Sequence, residues 1–289
     1  MSRRSTAHRT GRSLAILVAS MLALAACGGG GEVDYDDSDS GPAETTPIDL
    51  VDLTFQPITA GKLTVCASPA ANTGDPFRFK DPAGKWGGLE IDLAIAIAIR
   101  YGLVVEVTER SADDIGVAPG AGTCDIAAAS LTIDPEAGGD VVFSDKYFDV
   151  YQSLLVREAD AETLTTLESL AGKKVGVLRG AGEEFIADNA PDLAVEAFAD
   201  IVALHAALDS GRIDAVVAEF SANAFRAKSK GGTVVSLTFE DRGSTEYAFA
   251  LAPESRELLL AVNESLNEFN STGVYQEIYD KYFTITTGE

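Results

Sequence analysis

Side chains able to do chemistry are few and scattered along this 289-residue chain. The two histidines are His8, among the arginines at the start, and His205, isolated on a stretch with helical periodicity, so the paired imidazoles of a metal centre are not supplied. Arg179-Gly180-Ala181-Gly182 joins a strand pattern to a helical one but lacks the lysine and hydroxyl of a nucleotide phosphate loop. Glu219 ends a later strand pattern and would serve as a general acid if desolvated, yet spacing places no second catalytic group beside it. Asp113 and Asp114 fall in a Gly- and Pro-broken segment, where solvated loop acids are the common case and a binding wall the rarer one. The expectation is no catalytic residue, no metal and no cofactor.

The three cysteines divide by context. Cys66 ends one strand pattern and Cys124 precedes another. A disulfide between them would close a loop of 58 residues and stabilise by ~2–4 kcal/mol. It requires those strands to be neighbours; the alternative is two buried thiols. Cys27 stands elsewhere. Arg3, Arg4, Arg9 and Arg12 precede a weakly polar run from Leu14 to Ala26, the order of an export signal, and its 13 residues are too few to span a bilayer. The run ends Leu24-Ala25-Ala26-Cys27, which resembles the lipobox of bacterial lipoproteins and implies removal of residues 1–26 and lipidation of Cys27. A plain secretory signal or a signal-anchor helix are the alternatives. Gly28 to Gly31 and the acids and prolines that follow read as an acidic flexible tether over residues 27–60. The folded part would hang from the extracytoplasmic face of the cell membrane through a lipid anchor.

Loss of residues 1–26 leaves 18 basic against 45 acidic residues, a formal charge of −27. That balance excludes nucleic acid as a partner.

Elements that must position a site begin near residue 61. Strand patterns run over Lys62–Ala67, Val104–Thr108 and Asp125–Ala129, and helical periodicity covers Glu90–Gly102, apolar nearly all round and so expected to be buried between two layers. A second set comprises strands Lys174–Leu178 and Asp214–Ala218 with helices Glu183–Asn189, Asp200–Ser210 and Ser221–Lys230. Strand Tyr247–Ala252 and a mostly helical tail to Phe283 close the chain. Two βα groups exceed one core, so an α/β protein of two lobes is expected, its ligand beyond the carboxyl ends of the strands.

Gly88-Leu89-Glu90-Ile91-Asp92-Leu93-Ala94, Asp125 to Ile133, Phe143-Ser144-Asp145, Lys173 to Val177 with Arg179-Gly180, Gly211 to Val216, and Gly273-Val274-Tyr275 with Tyr279, Lys281 and Tyr282 occur in order. In this the chain resembles the polar amino-acid solute-binding lipoproteins of bacterial ABC importers, over residues 61 to 283. The resemblance implies the periplasmic-binding-protein type II fold. Its first lobe would be residues 61–149 and 247–289, its second 150–246, with two crossing strands as hinge and a cleft between the lobes. It also implies a monomer that closes on a small polar solute and delivers it to ABC permease subunits. A dehydratase-like enzyme on the same scaffold and a ligand-sensing receptor module are the rival readings.

Carried over by position, ligand contacts in the first lobe fall on Ser130, Leu131 and Thr132, whereas the carboxylate-clamping arginine falls on Ala137. The aromatic residue after the first strand has no counterpart, since Ala70 to Gly74 fill that loop; Phe77 or Trp86 would compensate, Trp86 fitting better as a turn residue on the lobe surface, and Asp75 joins the ligand-binding candidates. In the second lobe the contacts fall on Gly182 and Glu183 at a helix start, and the ammonium-binding aspartate on Glu219. A cationic or neutral polar solute is thereby expected over a zwitterionic amino acid, unless Arg78, Arg110 or Arg179 reaches the pocket by another route.

Overall fold

The computed structural model describes residues 46–68, 76–134 and 140–283. Along the chain come β1 (Lys62–Ala67), β2 (Phe79–Lys80), β3 (Trp86–Gly87), α1 (Leu89–Arg100), β4 (Val104–Glu109), β5 (Ile126–Thr132), β6 (Val142–Phe143), β7 (Phe148–Val150) and β8 (Gln152–Arg157). Then follow β9 (Val175–Leu178), α2 (Ala181–Asn189), β10 (Val195–Phe198), α3 (Ile201–Asp209), β11 (Ala215–Glu219) and α4 (Phe220–Lys230). The chain closes with β12 (Thr233–Thr238), β13 (Thr245–Leu251), α5 (Arg256–Thr272) and α6 (Val274–Phe283).

These elements build two sheets and so two lobes. One sheet runs β4-β1-β5-β13-β6 with β7 paired to β13, the other β10-β9-β11-β8-β12. In each, a parallel trio meets antiparallel strands: β1 lies between β4 and β5, β9 between β10 and β11, while β13 runs against β5 and β8 against β11. The chain passes from the first sheet to the second at Tyr151, between β7 and β8, and returns between β12 and β13. Each lobe has its own apolar centre, with Leu63, Val65, Leu93, Ile97, Ile126 and Phe249 in the first and Leu154, Val156, Leu170, Val175 and Val217 in the second.

Two sequence expectations are corrected. Helix α1 is not buried all round: Leu89, Leu93 and Ile97 face the core, whereas Ile95 and Ile99 are 36% and 44% exposed because nothing among the described residues covers that side. The segment read as a free tether to residue 60 already lies on the first lobe from Thr46, whose N–H donates to Glu277 Oε1 at 2.8 Å. Further along, Val51 N–H donates to the Arg100 carbonyl at 2.8 Å, the Phe55 ring packs edge-on against Tyr101 at 5.2 Å, and Ile58 N–H donates to Asp125 Oδ1 at 2.8 Å. Apolar residues Ile48 and Phe55 give this stretch something to bury, which the acids and prolines before it do not. Cys27 and the earlier part of that segment lie outside the described residues.

Cys66 and Cys124 form a disulfide with Cα atoms 5.7 Å apart. The condition for it is met because β1 and β5 are direct neighbours, Val65 pairing with Ile126. No helix among the described residues is long and apolar enough to cross a membrane.

Candidate functional site

In the first lobe the site candidates sit at the carboxyl end of β5, where the pairing with β13 is interrupted. Leu131 pairs with Ala248 but Ala127 with Ala250, so three residues of β5 face one of β13. The bulge lets the strand turn, and Ser130 takes φ 49°, a left-handed conformation that no other non-glycine residue among those described adopts. Such a conformation persists when its surroundings hold it. Here Ser130 N–H donates to Glu90 Oε1 at 2.6 Å and Ser130 Oγ accepts from Arg78 Nη1 at 2.7 Å.

Glu90 is the centre of this arrangement. It projects from the first turn of α1 with no exposed surface. Its Oε1 also accepts from the Tyr147 hydroxyl, and its Oε2 from Arg78 Nη1 at 3.1 Å. Arg78 is fixed from its other side by Nε donating to the Ser68 carbonyl at 3.0 Å. Burial, with the Glu90 carboxylate beside it, holds the Tyr147 phenol well above its ordinary range, so the hydroxyl remains a donor. A buried carboxylate is tolerable only with such partners. Arg78 thus reaches Ser130 from the segment before β2, its guanidinium aligned by Glu90. Glu90 and Tyr147 were not anticipated as site residues; Glu90 is one of two acids in the first turn of α1, with Asp92, and is the one that is buried.

Thr132 ends β5 opposite Tyr247, and Leu131 is half-buried beside it. Phe77 is 3% exposed, its ring packed edge-on against Phe148 at 5.0 Å and Tyr247 at 5.4 Å, so the structure places it in the aromatic core of the lobe. Asp75 and Ala137 lie outside the described residues. Arg179 is exposed; Arg110 follows β4, its N–H bonded to the Ala67 carbonyl at 3.0 Å.

In the second lobe, β9 leads through Gly180, at φ 83°, into α2. Gly182 is buried against the strand: an added Cβ would stand 3.0 Å from Val177 Cβ, so its small size sets the approach of α2. Glu183 Oε2 accepts from Gly180 N–H at 3.0 Å, placing a carboxylate at the helix start and opposing an anion there. Glu219 ends β11 and precedes the first turn of α4, half-buried. It pairs in register with Gln152 of β8, which puts both side chains on one face of the sheet. Gln152 Oε1 is buried without a hydrogen-bond partner among the described residues. Two acceptors are thus presented side by side, suited to a donor-rich cation.

Among the described residues no cluster of histidine, cysteine, aspartate or glutamate could hold a metal ion. His205 is instead buried between α3 and α4, its Nε2 3.0 Å from Asn223 Oδ1.

Comparison with known proteins agrees with this architecture. Residues 69–285 match the bacterial extracellular solute-binding proteins, family 3. The chain belongs to that family. The L-cystine-binding protein TcyJ of Escherichia coli is 28% identical over 212 residues, covering 73% of this chain and 79% of the relative. The lysine/arginine/ornithine-binding periplasmic protein of Escherichia coli is 29% identical over 219 residues, covering 72% and 83%. Among solved structures, an ancestral cationic amino acid solute-binding protein, AncCDT-1, superposes with a TM-score of 0.69 at 31% identity, covering 78% of this chain and 97% of that one. Another structure of AncCDT-1 is described as a precursor of cyclohexadienyl dehydratase. These relatives are binding proteins, and the two-lobed amino-acid-binding fold is shared with them.

Proposed function

We propose that this protein is the extracytoplasmic solute-binding component of an ABC importer, that it closes its lobes on an amino acid with a cationic side chain, and that Cys27 carries the lipid that tethers it. The observation that carries the solute class is the pairing of side-chain acceptors at the end of β11 with hydrogen-bond donors fixed at the end of β5. Arg78 is held beside Ser130 at the end of β5, whereas Glu219 and the unpaired Gln152 Oε1 stand together at the end of β11. A carboxylate suits the first and an ammonium or guanidinium the second. The position of Arg78 revises the expectation from sequence, which disfavoured a zwitterion for want of a guanidinium. Relatives named for lysine, arginine and ornithine, and for cationic amino acids, support the same class. Ligand would contribute its preference for the closed arrangement and nothing more.

A thermal-shift screen tests this reading. Arginine, lysine or ornithine at a hundredfold excess over Kd should stabilise by about 2.7 kcal/mol without being consumed. Equal stabilisation by glutamate and aspartate would refute the solute class. Turnover of any of these solutes would favour the enzyme reading. For the anchor, Cys27→Ala should release the protein from membranes in cell fractionation; continued membrane association would refute lipidation at that residue.

A further inference from the structure

We propose that the cavity where the two crossing segments meet is a second ligand site, for an organic ammonium ion. It has a volume of about 420 Å³ and is lined by Phe148, Asp149, Tyr151, Glu240, Ser244, Tyr275 and Tyr279. None of the cleft residues described above takes part in it, so this inference stands apart from the proposed solute.

The walls are aromatic and the rim is acidic. Tyr279 of α6 stacks near-parallel to Phe148 at 6.2 Å and leans on Tyr275 at 6.1 Å, while Tyr151 is backed by Phe220 at 5.1 Å. Ring faces attract a cation through their quadrupole, and rings held by packing do so without losing further freedom on binding. Tyr275 is further held by its hydroxyl, which donates to the Tyr147 carbonyl at 2.6 Å.

Negative charge comes from two directions. Asp149 arrives on β7 and is partly matched by Lys146, whose Nζ lies 2.7 Å from Oδ1. Glu240 arrives on the return segment, and among the described residues it has no ion-pair partner; Thr238 Oγ1 donates to its Oε1 at 3.3 Å. Among the described residues no basic side chain lines the cavity. Burial, with neighbouring phenols and the carboxylates, lifts the Tyr151 and Tyr275 phenols and takes Tyr279 up to about 12. The rings stay neutral and keep their faces available to a cation.

Flat aromatic walls with a carboxylate at the rim fit a methylated ammonium better than a hydrated metal ion, which needs several oxygen ligands. Tyr151 belongs to the outgoing connection and Glu240 and Ser244 to the returning one, so an occupant touches both segments that join the lobes.

Isothermal titration of the mature protein with choline, in 150 mM salt to screen its general acidity, tests the site. Saturable binding is expected, with the neutral isostere 3,3-dimethylbutanol at least about tenfold weaker because it lacks the charge. Glu240→Gln and the cavity-filling Ser244→Trp, both at exposed positions, should each weaken choline roughly tenfold, and Glu219→Ala should leave it unchanged. Absence of saturable binding, equal binding of the isostere, or indifference to both substitutions would overturn the proposal. So would loss of choline binding with Glu219→Ala alone, which would place choline in the cleft.

Discussion

Arg78 Nη1 lies 2.7 Å from Ser130 Oγ, tying the approach to α1 onto the left-handed turn of β5. The same nitrogen reaches Glu90 Oε2 at 3.1 Å, so one guanidinium positions the turn and compensates a wholly buried carboxylate. Removing it strands that charge. Arg78→Met should cost about 3 kcal/mol, as expected for a buried pair deprived of one partner. Adding Glu90→Gln should recover most of the loss. Urea unfolding of the single and double variants reads this directly, and a single variant as stable as the parent would show that Glu90 does not depend on Arg78.

Glu219 is predicted to act on solute and not on folding. Its half-buried place at the end of β11 allows an amide without a void, so Glu219→Gln should leave the thermal midpoint nearly unchanged. Affinity for arginine should fall tenfold or more, since a charge-assisted hydrogen bond contributes about 1.5–3 kcal/mol and each 1.4 kcal/mol is tenfold. Calorimetric titration gives the comparison; an unaltered Kd would remove Glu219 from the site.

The disulfide joins Cys66 and Cys124 across 58 residues of sequence. Replacing both cysteines with alanine should lower stability by ~2–4 kcal/mol and make unfolding insensitive to reductant. The parent protein should lose a similar amount in dithiothreitol. Denaturation curves with and without reductant test both statements.

His205 gives a pH dependence whose sign is fixed by its surroundings. Burial holds its pKa below the ordinary value of 6.5, with the Asn223 contact only partly opposing. The unfolded chain then binds the proton more readily than the folded one. This residue's contribution is therefore complete above pH 6.5 and declines as pH falls below it toward the folded value. His205→Gln should flatten the fall in stability as pH drops below about 6.5. An identical slope in parent and variant would assign the dependence to other groups.

Legibility followed the type of signal. Strands β1, β9 and β11 and helices α2, α3 and α4 stood out because apolar runs end at glycine or polar breaks. Strands β8, β10 and β12 were missed. In β8, Gln152-Ser153-Leu154-Leu155-Val156-Arg157 is a short apolar run without alternation, buried because strands flank it on both sides. The second-lobe candidates were assigned by motif position, and register adds for Glu219 its pairing with Gln152. The first-lobe arrangement was only half visible: Ser130 lies in a motif, but Arg78 and Glu90 are 12 residues apart and meet through folding that brings β2's approach against α1. Phe77 was misjudged because an aromatic residue near a loop reads alike whether it covers solute or fills the core.

Among the described residues, the stretch from Thr46 to Ile58 is held by first-lobe groups, namely Glu277, the Arg100 carbonyl, Tyr101 and Asp125. With the proposed lipid at Cys27, 19 residue steps remain for spacing, a ceiling of roughly 65 Å on the height above the bilayer. Under that proposal, pull on the anchor would be taken up by the first lobe and would bypass the crossing segments. The half bearing Glu219 would thus pivot unhindered while its companion stays moored.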